Sequence, residues 1–365
     1  MKINPYLSTF LDLMRGLAAF FVLIGHIILL LFLSDYRNIT YMGGMEYNFF
    51  ENILLISASY GFQSVLIFFV LSGYLVSQSA IRIVNNDNDK TLKDYFIDRI
   101  FRIHTVLIPA LILTFFLDKI TITINSVDSI MHRLNLENFI GNIFLLQEIL
   151  VDRFGSNGPL WSLSYEFWYY MFFPLGYLIY INRFKVNYLV IIFFLLIFTL
   201  LPIGIKKYFI IWLIGASINF IKKPIFNSFY IPFSVFAIMF ILSSSYFNLP
   251  IIGFIYYSIM ALFLALTINS LLFVNIQPNY QIKKISSFFA NFSYSLYLVH
   301  YPFLILLSVS LPKIFGVNIL SFKEFYIFLI ILFSAYLISY IFYYFTERNT
   351  KYFKHKFYNL IKRSK

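Results

Sequence analysis

The sequence predicts an all-α polytopic membrane protein: about ten transmembrane helices around a polar cavity, with both termini in the cytoplasm. Three observations lead there. The chain is 60% hydrophobic and 12% charged, with a mean hydropathy of +0.79, whereas a soluble domain carries about 25% charged residues. Its apolar residues gather in ten stretches of about 17–25 residues, enough for a helix to cross a hydrocarbon core about 30 Å thick. Lys and Arg collect in alternate loops, nineteen on the side assigned to the cytoplasm and eight on the other, and that bias sets the orientation. The same distribution argues against a nucleic-acid partner, despite a net charge of +12. With no cysteine there is no disulfide, thiolate metal site or Cys nucleophile. No metal site and no permanently bound cofactor are expected.

The first span, 8–33, holds an arginine and a histidine in LDLMRGLAAFFVLIGHIILLLFL. Arg15 and His26 are eleven positions apart, which is three helical turns plus about 20°. They share one face, about 16 Å apart along the axis. Asp12 lies three residues before Arg15 and can pair with it. Charged groups at membrane depth face a cavity or a partner, so this stripe reads as the wall of a polar cavity or as an interfacial Asp12–Arg15 anchor. No small-residue cleavage site follows, so the span is expected to remain in the mature protein.

The second span, 60–82, contains FFVLSGYLVS, where Ser72–Gly73 allows close helix approach or a local break. The third, 103–124, is entered through DYFIDRIFRIHTVLIP. Arg99 and Arg102 are i,i+3 on one face, suited to bidentate phosphate recognition or to snorkelling toward lipid headgroups. Residues 136–150 are too short to span comfortably and read as a re-entrant or interfacial helix. The fourth span, 159–181, opens with GPLWSLSYEFWYYMFFP. Ser162 and Glu166 are i,i+4, beside Trp161 and a run of tyrosines; the acid is either a functional group or part of an interfacial aromatic belt. Spans five and six, 187–203 and 207–221, are separated by the tight turn LPIGIKK. Spans seven and eight cover 229–247 and 251–274. The ninth, 287–310, carries Ser293, Tyr297 and His300 on one stripe, with His300 either a helix–helix hydrogen-bond partner or a catalytic group. The tenth is 324–346. Residues 1–346 form the transmembrane domain, and 347–365 a basic cytoplasmic tail attracted to anionic lipid.

Taken in order, these motifs resemble the integral-membrane acyltransferases of type 3. LDLMRGLAAFFVLIGH is similar to that family's first-span pattern, and IFFVLSGYLVS to its second. RIFR resembles its paired-arginine motif, GPLWSLSYE its PLWSLSxE signature, and SYSLYLVHYP its late SYxxYLxH motif. The likeness runs from residue 11 to about residue 347. Two departures stand out: Phe167 and Trp168 replace a second acid and a Gln common after the signature Glu, and the last span closes on Glu347-Arg348-Asn349 without the usual Pro.

The resemblance implies acyl transfer, usually of acetyl, from cytoplasmic acyl-CoA to a hydroxyl of an extracytoplasmic glycan or lipid-linked glycan. It implies a multi-pass protein of the bacterial inner membrane. His26 becomes the general base, with Glu166 as the acid that orients it. Arg99 and Arg102 hold the CoA phosphates, and Arg15 steadies the pantetheine arm or the pyrophosphate. Asp12, Trp161, Ser162, Tyr297 and His300 are the supporting set. Oligomeric state is not legible. Two rival classes share a polar path through many spans: a transporter or flippase of lipid-linked sugar, and a polysaccharide polymerase. The external segment 125–158 is short for a polymerase and has only two arginines, and no repeat symmetry suggests a transporter.

Overall fold

The computed structural model describes residues 4–32, 53, 56–85, 91–182, 187–243, 250–315 and 325–363. Lys2, Arg37, Lys90, Arg183, Lys185, Lys323 and Lys365, which entered the charge-asymmetry argument, lie outside them. The described residues are helical apart from turns and one isolated bridge, Gln147 to Val151. A helix stands at each of the ten expected spans. Seven are long and apolar enough to cross a membrane, so this is an all-α, multi-pass membrane protein.

α1 (Pro5–Ile27) starts at a proline, whose missing N–H is no loss in a first turn. Asn4 caps it, its Oδ1 accepting the Leu7 N–H at 2.7 Å. One residue after His26 it passes into a π-helical turn, Ile28–Phe32. α2 is Gly61–Val84 and α3 is Leu92–Ile124. α3 begins eleven residues before the expected span because Thr91 and Asp94 form a reciprocal cap: Asp94 Oδ2 accepts the Thr91 N–H at 2.9 Å, and Thr91 Oγ1 accepts the Asp94 N–H at 3.2 Å. The RIFR arginines therefore sit within a helix, two to three turns from its start.

The expected helix over 136–150 is helical only in its first half. α4 (Asp128–Arg133) and α5 (Leu136–Ile143) are followed by a reversal in which Leu145 and Glu148 take φ of 58° and 69°. Asn142 holds the returning strand of chain against α5. Its amide donates to the Asn138 and Asp152 carbonyls at 2.7 and 2.8 Å, and its Oδ1 accepts the Phe154 N–H at 3.2 Å.

α6 (Leu160–Ile181) has 22 residues, although its Trp, Tyr and Glu lower its hydropathy below that of the seven spans. α7 (Tyr188–Leu200) and α9 (Tyr230–Leu242) have 13 residues each, about 20 Å of helix against a core of about 30 Å. α8 (Ile203–Ser217) takes up Lys206 and Lys207 of the expected turn, with the bend confined to Leu201–Pro202. α10 is Pro250–Leu271. The expected ninth span divides at Phe292 into α11 (Tyr280–Asn291) and α12 (Ser293–Phe315). α13 (Phe325–Phe345) and the amphipathic α14 (Thr350–Arg363) complete the chain.

The chain forms two compact units. The first comprises Met1–Arg15, Val65–Ile100 and Trp161–Ser286. There α2 and α8 cross in close contact through glycines. A Cβ on Gly73 would lie 2.0 Å from the Trp212 carbonyl oxygen, and one on Gly215 would lie 2.1 Å from that of Val70. The small pair at 72–73 is thus a packing site. Trp212, Tyr169 and Phe69 fill the interior of this unit. The second unit comprises Gly16–Ser64, Phe101–Leu160 and Ser287–Lys365. It contains the greater part of α1 and α3, the 125–160 segment, and α12 to α14.

Candidate active site

In the second unit, α1 presents His26 to α12. Gly25 permits the close approach of the neighbouring backbone, since a Cβ there would meet the Ala58 carbonyl oxygen at 2.9 Å. His26 Nδ1 lies 2.9 Å from His300 Nε2. The ring centroids are 5.1 Å apart at an interplanar angle of 24°. That spacing is one ring radius, a hydrogen bond and a second ring radius, so the imidazoles meet edge to edge and nearly coplanar. His300 Nδ1 lies 2.7 Å from the Leu296 carbonyl oxygen. Tyr301 stands edge-on to His26, with centroids 4.8 Å apart at 87°. His300 is 1% exposed, whereas His26 is only partly buried.

A turn ahead of α6 is tied into the same unit. Pro302 has no N–H, so the carbonyl of Leu298, one turn earlier in α12, loses its helical donor. The Asn157 amide donates to that oxygen at 2.9 Å and to Thr114 Oγ1 at 3.1 Å. Asp118 Oδ2 accepts the Ser156 N–H at 2.7 Å. Tyr297 donates from its hydroxyl to the Pro159 carbonyl at 3.2 Å. Glu347 accepts the Ser295 N–H and O–H at 3.2 and 2.8 Å, placing a carboxylate at the start of α12. Asn157, Asp118 and Glu347 did not figure among the expected site residues. Only Asn157 had a readable signal, the helix proline that strands a carbonyl.

The segment between α3 and α6 forms two adjoining depressions that share Asn135. One is a polar groove of about 510 Å³ whose lining includes His132, Glu137, Asn138, Glu148 and Asp152. The other is an apolar crevice of about 350 Å³ among Phe115, Phe116, Phe139 and Phe154. Glu148, in the groove lining, pairs with Arg153 at 2.6 Å.

The first unit holds most of the other expected residues. Trp212, a donor only, gives its Nε1–H to Ser72 Oγ at 3.2 Å. Ser72 then donates to Tyr170 Oη at 3.1 Å, and Tyr170 donates to Glu166 Oε1. Glu166 thus accepts from Tyr170, and His26 Nδ1 meets His300. The Arg99 guanidinium lies over the rings of Tyr95 and Tyr170, at 5.3 and 5.8 Å, and among the described residues its Nε has no hydrogen-bond partner. The Tyr95 hydroxyl donates to the Tyr170 carbonyl at 3.2 Å, an oxygen stranded by Pro174 as Leu298 is by Pro302. Ser162 is buried, and Trp161 packs edge-on against Phe69 and Tyr165. Arg15 pairs with Asp12 at 3.6 Å, as their spacing suggested. In the second unit, Arg102 is exposed. Among the described residues, no group of three or more His, Asp and Glu side chains is placed to hold a metal.

Many apolar helices, with a histidine pair in one unit and an arginine–aromatic cluster in the other, describe a multi-pass membrane protein that carries polar clusters within its helices. The chain belongs to the acyltransferase 3 family, matching its acyltransferase domain over residues 8–344. It is similar to an O-acetyl transferase of Shigella phage Sf6, with 35% identity over 123 residues, 31% of this chain and 35% of that one. It is also similar to an uncharacterized protein of Haemophilus influenzae, with 31% identity over 141 residues, 37% of this chain and 57% of that one. The chain thus spans about a third and just over half of the lengths of these curated relatives. No solved structure matches it.

Proposed function

We propose that the chain is an O-acyltransferase of the bacterial inner membrane. It moves an acyl group, acetyl in the first instance, from cytoplasmic acyl-CoA to a hydroxyl of an extracytoplasmic glycan, free or lipid-linked. Family membership and the phage relative support acyl transfer. The observation that carries the chemistry is His26: a residue only partly buried, its imidazole fixed at one nitrogen by a second imidazole 2.9 Å away.

Transfer from a thioester to an alcohol needs a base for the hydroxyl proton. His26 Nε2 takes that proton as the oxygen forms its bond to the acyl carbon. The tetrahedral intermediate then collapses, the carbon–sulfur bond breaks, and the proton passes from Nε2 to the departing CoA thiolate. The imidazole ends as it began. Arg99, Arg102 and Arg15 bind the CoA phosphates and pyrophosphate, for which the guanidinium fork is suited. Glu166 acts through Tyr170, holding one of the two rings beneath Arg99. The polar groove binds the glycan, its carboxylates and amides matching sugar hydroxyls as acceptors and donors.

The test is transfer by the purified protein in lipid nanodiscs, with acetyl-labelled acetyl-CoA and a surface glycan as substrates. The expected result is labelled ester in the glycan and one free CoA thiol per ester. His26→Ala should lower that rate by about 10²–10⁴-fold with the protein still folded. No thiol release by the wild type, or near wild-type turnover by His26→Ala, would sink the assignment. A flippase or polymerase would release none.

A further inference from the structure

We propose that His300 is the positioning residue of this site: it fixes His26 as the Nδ1–H tautomer and so leaves Nε2 as the bare, proton-accepting nitrogen. The inference rests on the acyl-transfer reading and adds to it the group that sets the base.

The argument is a chain of obligatory donors and acceptors. A backbone carbonyl oxygen only accepts, so the 2.7 Å contact from His300 Nδ1 to Leu296 requires a proton on Nδ1. A neutral imidazole carries one N–H. His300 Nε2 is then a lone pair. The nitrogen facing it at 2.9 Å, His26 Nδ1, must supply the hydrogen. That leaves His26 Nε2 without a proton. The near-coplanar, edge-to-edge placement of the rings points an in-plane N–H at an in-plane lone pair, the alignment such a bond needs.

Accessibility assigns the order. His300 is 1% exposed and cannot touch a substrate, while His26 is partly open. The outer ring therefore reacts and the inner ring orients. Tyr301, edge-on to His26, opposes rotation of the imidazole away from this bond. When His26 Nε2 takes the hydroxyl proton, the ring becomes an imidazolium that still donates Nδ1–H to His300 Nε2. The proton then leaves for the thiolate, and His300 gains and loses none. A neutral imidazole here does what a carboxylate does for a histidine in serine hydrolases, without placing an anion in the apolar interior.

The experiment separates orientation from packing through side chains that copy one ring nitrogen at a time. His300→Gln places an amide oxygen near the former Nε2, facing His26. His300→Asn places its amide near the former Nδ1, facing Leu296. His300→Phe keeps a ring and neither nitrogen. The expected result is His300→Gln within about tenfold of wild-type kcat, and Asn and Phe lower by about 10²-fold, with KM for both substrates unchanged. In ¹⁵N-histidine spectra of the membrane-embedded protein, His26 should be the Nδ1–H form in the wild type and lose that preference in His300→Phe. The protein has five histidines, so His26→Asn identifies the signal by its loss.

Full activity in His300→Phe would overturn the proposal. So would Asn outperforming Gln, which marks an anchor for α12, or an unchanged His26 tautomer in His300→Phe. An inactive wild type would instead overturn the acyl-transfer reading, and the tautomer spectra would still judge the pair by themselves.

Discussion

Replacing Asn157 tests how the turn before α6 is held. Its amide satisfies the Leu298 carbonyl, which Pro302 has deprived of a helical donor, and also reaches Thr114. Both Leu298 and Asn157 are fully buried. Asn157→Ala therefore strands an acceptor that water cannot reach, a cost of about 1–3 kcal/mol, and loses a second bond contributing about 0.5–1.5 kcal/mol. The expected destabilisation is about 2–4 kcal/mol. Pro302→Ala restores an N–H one turn beyond Leu298, so the helix supplies its own donor. In that background Asn157→Ala should cost about 1–2 kcal/mol less than in the wild type. SDS-unfolding titrations of the four proteins in mixed micelles measure the cycle. Additivity to within about 0.5 kcal/mol would refute the claim that Asn157 replaces the missing proline donor.

Donor and acceptor sites should separate in steady-state kinetics. Arg99→Lys and Arg102→Lys should raise KM for acyl-CoA several-fold and leave that of the glycan, whereas Glu137→Gln in the polar groove should do the reverse; an unchanged acyl-CoA KM would leave the arginines as lipid anchors. In sealed, oriented vesicles, acyl-CoA on the cytoplasmic side alone should label a glycan confined to the other side. A requirement for both substrates on one side would defeat the transmembrane route while leaving acyl transfer intact.

Fold class was legible because hydropathy is a local property of each stretch. Boundaries were less so. The polar residues of KDYFIDR masked the start of α3, although Thr91 and Asp94 form a readable capping pair. Nothing announced the reversal after α5, because Leu145 and Glu148 take left-handed backbone angles without the Gly or Asn that usually marks them. His26 and His300 were each conspicuous as polar groups on apolar helices, but they are 274 positions apart in the chain. No periodicity links them, and an acid is the more familiar partner of a catalytic histidine. Glu166 was the expected orienting group on that ground, and its bond to Tyr170 depends on a turn of α6 whose neighbours come from α2 and α8.

One device recurs in both units and explains why residues outside the expected set matter. A helix proline removes the donor for the carbonyl four residues before it. In a membrane interior that oxygen cannot turn to water, and a side chain from another element can take it. Pro174 frees the Tyr170 carbonyl, and Tyr95 takes it, fixing the two rings on which Arg99 lies. Pro302 frees the carbonyl of Leu298, two residues from His300 in sequence, and Asn157 takes it. Each proline thereby converts a local gap in a helix into a long-range bond beside a residue of the proposed chemistry. Pro174 and Pro302 are visible in the sequence, and each marks a carbonyl open to a partner. The partner's identity is a property of packing, which is why Tyr95 and Asn157 emerge only from the folded chain.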